Sequence, residues 1–141
     1  LRGTRADWLQ ADAAALPLAD ASADVVVSGF ALRNFVSLPE VFAELARVLV
    51  PGGRIALIDV DRPRAGAVRA LHSLYFDRVV PWLGGLLSDR AAYRYLPRST
   101  VYLPPGDELL AALRAAGFEG VSRRQLLLGS AQILSGVRGR D

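Results

Sequence analysis

The sequence predicts an α/β domain built on parallel strands and finished by an antiparallel pair. Three observations carry this expectation. Two uninterrupted apolar runs, "DVVVSGF" (residues 24–30) and "RIALIDV" (residues 54–60), have strand length and the β-branched content of strands buried on both faces. One helix pattern lies between them, so the order is strand, helix, turn, strand: a βαβ unit with a right-handed crossover. The tail "GVSRRQLLLGSAQILSGVRG" (residues 120–139) reads as two strands around a Gly129-Ser130 turn, a hairpin.

Each element has its own signal. "ADWLQAD" (residues 6–12) reads as a short strand ending in an acid, and "ALPLADASAD" (residues 15–24) as a turn-rich connector. Ser37, Pro39 and Glu40 form a capping box: a hydroxyl N-cap, a proline in the first turn, an acid three residues on. Leu38, Val41, Phe42, Leu45, Val48 and Leu49 then recur at three- and four-residue spacing, one apolar helix face. "PGG" (residues 51–53) stops that helix. Residues 64–104 are less regular, with one or two helices, Tyr-rich turns and several prolines. "GDELLAALRAAGF" (residues 106–118) is a second clear helix, with Asp107 as N-cap and Gly117 as C-cap.

Composition narrows the function. The 141 residues suffice for one domain with a core, and 52% hydrophobic against 22% charged residues is a globular balance. No cysteine is present and His72 is the single histidine. Disulfide frameworks, thiolate metal sites and mechanisms with two imidazoles are therefore excluded, and no metal is expected. All 17 basic residues are arginine, against 14 acids. They are scattered rather than gathered in a stripe, so no nucleic-acid partner is expected. The most apolar long stretch, "LHSLYFDRVVPWLGGLL" (residues 71–87), is broken by charges, proline and glycines, and the start has no basic-then-apolar leader. The expected location is cytoplasmic, with peripheral membrane contact through residues 71–87 left open.

In open α/β sheets ligands sit at the carboxyl ends of the strands. Three predicted strands end in polar groups: Asp12, the segment from Ser28 to Asn34, and Asp59 with Asp61. Together they would line one crevice; separately they would be ordinary loop caps or solvated acids. Arg33 raises the sharpest question, a fixed cation at the lip of a buried strand. It either faces a developing negative charge or makes a salt bridge to an acid such as Asp61. His72 is either a base or a helix-face residue, and Tyr75, Tyr93 and Tyr95 are either ring-stacking groups or core aromatics.

The stretch "ADAAALPLADASADVVVSGFALRNFVSLPEVFAELARVLVPGGRIALIDVDRP" (residues 11–63) resembles S-adenosylmethionine-dependent methyltransferases, and within them the ubiquinone/menaquinone biosynthesis C-methyltransferases. "AYRYLPRSTVYLPPGDELLAALRAAGF" (residues 92–118) is similar to the same family. "PGG" is common to many methyltransferases; "LRN" and "YRYL" are more specific. The resemblance implies a Rossmann-like methyltransferase sheet of strand order 3-2-1-4-5-7-6, here incomplete: strands 3 to 7 with an antiparallel C-terminal hairpin, one partial domain over residues 1–141.

It also implies roles. Asp12 and Ala13 would lie beside the adenine of S-adenosylmethionine, Asp12 accepting from the exocyclic amine. Ser28, Gly29 and Phe30 would line the methionine end. Arg33 and Asn34 would be the catalytic pair facing a quinol-like aromatic acceptor, with Tyr75, Tyr93, Tyr95 and His72 as substrate-binding candidates. No Gly-rich turn precedes Asp12, where the family has one for the cofactor. Ala23 stands in place of the usual Phe, Val50 in place of Lys, and "DVDRP" in place of "LEFS.P". The expected chain is thus part of a catalytic domain with an open inner sheet edge. The competing expectation is a non-catalytic module that binds a partner, or a second copy of itself as a homo-oligomer, through that edge. An oxidoreductase on a related fold is disfavoured because no G-x-G-x-x-G occurs.

Overall fold

A computed structural model describes residues 6–61 and 103–140 of the chain. His72, Tyr75, Tyr93 and Tyr95 lie outside the described residues, as does the apolar 71–87 stretch.

Strand β1 (Ala23–Gly29) leads through a 3-10 turn (Leu32–Asn34) into helix α1 (Leu38–Val48), which returns directly as strand β2 (Leu49–Val60). Helix α2 (Gly106–Ala115) precedes strands β3 (Phe118–Leu126) and β4 (Ala131–Arg138), joined by a 3-10 turn at Leu127–Gly129. The sheet order is β1-β2-β4-β3, with β1 parallel to β2 and the other pairs antiparallel. This order matches strands 4-5-7-6 of the expected methyltransferase sheet.

The local reasons are those read from sequence. Ser37 is the N-cap of α1; its hydroxyl accepts from the Glu40 N–H, with Pro39 in the first turn. Val41, Phe42, Leu45 and Val48 make the buried face of α1, and Leu109 and Leu113 that of α2. Both helices feed one core with Ile55, Leu57, Phe118 and Leu134 of the sheet.

Four expectations are corrected. Residues 6–11 form no strand, and Asp12 makes only an isolated bridge to Ala15. A strand requires a ladder partner, and this segment has none among the described residues. β1 is buried on one face only: Val26 packs on the core, while Val25 and Val27 are 59% and 75% exposed. The described helices cover a single side of the sheet, and the outer edge of β1 has no strand neighbour among the described residues. The cap of α2 is Pro105, not Asp107, which falls inside the first turn. The chain is already extended at Leu49, before "PGG", and residues 50–53 bulge out between the pairs Ala23–Leu49 and Val25–Arg54. Gly53 is needed there because a Cβ would lie 2.8 Å from the Val50 carbonyl oxygen.

Candidate active site

The carboxyl end of β1 carries the first cluster. Ser28 is half-buried, while Gly29 and Phe30 are exposed. Among the described residues, a Cβ on Gly29 would meet only Ile58, at an ordinary 3.6 Å, so on their side this backbone stands open to a neighbouring group. Phe30 holds its ladder bond to the Ile58 carbonyl at 2.8 Å but has φ of +59°, left-handed backbone that a bulky side chain rarely adopts. Such strain costs on the order of 1–3 kcal/mol and concentrates at functional sites. The twist ends the strand and starts the 3-10 turn of Leu32, Arg33 and Asn34.

Within that turn the side chains diverge. Leu32 is buried in the core and Asn34 is exposed, its N–H bonded to the Ala31 carbonyl. Arg33 turns inward. Its Nη1 donates to Asp59 Oδ1 at 2.9 Å, and its backbone N–H reaches Asp59 Oδ2 at 3.4 Å. Asp59 is fully buried and the Arg33 side chain nearly so. The Arg33 Cζ also lies 6.0 Å from the centre of the Phe30 ring, within cation–π range. Arg33 Nε is buried without a hydrogen-bond partner among the described residues. An orphaned buried donor on a charged group is costly, and in a native fold it needs an explanation.

The sequence offered Asp61 as the acid that pairs with Arg33; the partner is Asp59. Asp61 instead accepts from Arg123 Nη2 and from Gln125 Nε2. Arg123 Nε donates in turn to Gln132 at 2.6 Å, and Gln132 is buried. Neither Arg123 nor Gln132 was singled out from the sequence. Strand parity was the available signal, since Asp59 faces Gln132 and Gln125 across the ladder.

Asp12 sits in a separate turn. Its Oδ1 accepts from the Ala14 N–H at 2.9 Å and its carbonyl from the Ala15 N–H at 3.0 Å. The side chain is exposed, and among the described residues no hydrogen bond or ion pair joins it to Arg33 or Asp59. Ala13, Ala14 and Leu16 pack against the core that also holds Leu32. A polar clasp completes the anchorage. Glu44 Oε1 accepts from the Leu16 N–H at 2.6 Å, and Arg47 donates to the carbonyls of Leu16 and Leu18 and to Asp20. Arg47 also bridges to Glu44 at 2.7 Å. Its guanidinium holds the Glu44 carboxyl down at a pKa of about 2 against an ordinary 4.5, burial opposing. The Arg47 pKa is raised in return, by Glu44 first and then Asp20.

A profile of the ubiE/COQ5 methyltransferase family matches residues 2–138. The chain belongs to the ubiE/COQ5 methyltransferase family. It is 41% identical over 98% of its length to the demethylmenaquinone methyltransferase of Roseiflexus castenholzii, of which it covers 58%. It is 43% identical over 97% of its length to the protein of that name from Thermus thermophilus, covering 62% of it. The chain therefore spans about three fifths of the curated relatives it matches. A SAM-dependent methyltransferase structure from Thermotoga maritima superposes with a TM-score of 0.61 at 18% identity, over 92% of this chain and 63% of that one. That likeness speaks to the fold: a Rossmann-like methyltransferase sheet, of which the described residues form strands 4 to 7.

Within this family the strained Phe30, the inward Arg33 and the orphaned Nε stand at the carboxyl ends of the parallel pair, where α/β folds place ligands. Among the described residues no group of three His, Cys, Asp or Glu side chains stands ready to hold a metal, and no helix is long and apolar enough to cross a membrane.

Proposed function

We propose that the protein carrying this chain is an S-adenosylmethionine-dependent C-methyltransferase acting on a quinol-type aromatic acceptor, as the names of its relatives suggest. The observation that carries the reading is the partly used guanidinium of Arg33: one nitrogen on Asp59, and a buried Nε with no partner among the described residues.

The residues fit both ligands. Gly29 leaves the end of β1 open to a cofactor, and Asp12 spends Oδ1 on its own turn, which leaves a second carboxylate oxygen for an amine donor. S-adenosylmethionine, when bound, supplies a methyl group on a sulfonium that departs as a neutral thioether. The chain's own task is to raise the nucleophilicity of a ring carbon and hold it in line. Loss of the acceptor's hydroxyl proton to solvent makes the ring carbon electron-rich, and a guanidinium that never titrates stabilises the resulting oxyanion; after the methyl bonds to that carbon, the carbon sheds its own proton to solvent and the ring is aromatic again. Phe30 stands within cation–π range of that guanidinium and offers an apolar face for an aromatic acceptor. His72, Tyr75, Tyr93 and Tyr95 remain substrate-side candidates by resemblance. Peripheral membrane contact fits an acceptor of isoprenoid character, and the location that composition favours is the cytoplasm.

The test is calorimetric titration of S-adenosylmethionine into the complete gene product, followed by methyl transfer to a demethylated naphthoquinol. Binding with turnover supports the reading. Absence of binding favours a partner-binding module, for which the β1 edge, without a strand neighbour among the described residues, and the exposed Val25 and Val27 are the specific observations.

A further inference from the structure

We propose that Asp59 is the positioning residue of Arg33: it fixes the guanidinium so that the remaining donors face the methyl acceptor. The proposal rests on the function proposed above. Asp59 lies on the core face of β2, in alternation with Ile55 and Leu57, and is fully buried. A carboxylate at such depth is sustained only by pairing and hydrogen bonding. It receives the Arg33 Nη1, the Arg33 backbone N–H and, at 2.7 Å, the Val60 N–H. Side chain and backbone of the same arginine are thus gripped together, and the 3-10 turn is tied to the end of β2.

The form of the pairing separates positioning from bulk stabilisation. Arginine–carboxylate pairs are frequently forked, with two parallel N–H donors on the two oxygens. Here a single guanidinium nitrogen meets Asp59, while Nε is held in the interior without an acceptor among the described residues. The centre of the Phe30 ring lies 6.0 Å from the Arg33 Cζ. The arginine is anchored at one nitrogen, and the small part of the group that stays exposed is where preorganised donors would meet an oxyanion.

The test is steady-state kinetics and cofactor titration on the complete gene product. Asp59→Asn keeps size but removes the charge and turns one of the two acceptor oxygens into an amide donor. It is expected to lower kcat about 10- to 100-fold, the usual cost of a misplaced catalytic group, with the S-adenosylmethionine Kd within about twofold of wild type. Asp59→Glu, which restores the carboxylate, is expected to recover most of the lost kcat. Asp59→Asn added to Arg33→Ala is expected to cost little more than Arg33→Ala alone. If Arg33→Ala is impaired and Asp59→Asn turns over at the wild-type rate, the positioning role is overturned while that of Arg33 stands. If Arg33→Ala itself turns over normally, the function assigned to Arg33 falls and this proposal with it. Should Asp59→Asn not fold, Arg33→Lys decides, because it leaves a cation for Asp59 but lacks the further guanidinium donors: wild-type kcat overturns the proposal, and loss of kcat with intact cofactor binding supports it.

Discussion

Asp59 and Asp61 stand two residues apart at the end of one strand and serve opposite neighbours. Asp59 takes Arg33, on the side of β1; Asp61 takes Arg123, on β3. One strand end thereby holds both the candidate catalytic turn and the antiparallel half of the sheet.

The Asp61 side of this arrangement predicts the response to Gly106→Ala. A Cβ at Gly106 would collide with Nε and Cζ of Arg123. The guanidinium that meets Asp61 and Gln132 must then move. Overpacking of this kind costs about 1–3 kcal/mol. The expected result is a lower urea midpoint with an unchanged m-value, and a neutral outcome would show that the pair adapts freely.

Asp12→Ala tests the cofactor side. If the free carboxylate oxygen of Asp12 accepts from the adenine amine, its loss is expected to weaken S-adenosylmethionine by about 1–3 kcal/mol, the cost of one unpaired polar partner. The fold is expected to survive, since the Asp12 side chain is exposed. Calorimetry checks this, and unchanged affinity would remove Asp12 from the site.

Glu44 gives a pH prediction. Its folded pKa of about 2 lies below the ordinary 4.5, so the stabilisation it brings is fully present above about 4.5 and is lost as pH falls toward 2. The clasp on Leu16 and Leu18 is therefore expected to persist at mildly acidic pH. NMR titration of the Glu44 carboxyl carbon should show a midpoint far below that of an exposed glutamate. In Glu44→Gln the stability difference between pH 5 and pH 2 should shrink.

The local features were legible in the sequence because their causes are local. The hydroxyl of Ser37 three residues before Glu40 suffices to start α1, and Gly117, with φ of +91°, follows the end of α2 as its composition implied. The βαβ order and the closing hairpin follow from apolar runs and turns. What depends on neighbours was not legible. "ADWLQAD" has strand composition but no ladder partner among the described residues, and Trp8 is almost fully exposed. Val25 and Val27 read as buried because apolar runs usually are, yet the described helices cover only the opposite face. The choice of Asp59 over Asp61 by Arg33 depends on the path of a 3-10 turn, which no spacing rule specifies. In the site itself, Arg33 was found by its anomaly, a charge beside an apolar run, whereas Gln132 and Arg123 looked like ordinary strand residues.

The role proposed for Arg33 stands or falls on Arg33→Ala, measured for both turnover and cofactor affinity in the complete gene product. The expected outcome is a loss of kcat of at least about 100-fold, the scale of one oxyanion-stabilising donor, with S-adenosylmethionine affinity nearly unchanged. Equal loss of both, tracking a fall in thermal stability, would refute that role and leave Arg33 as the structural partner of Asp59.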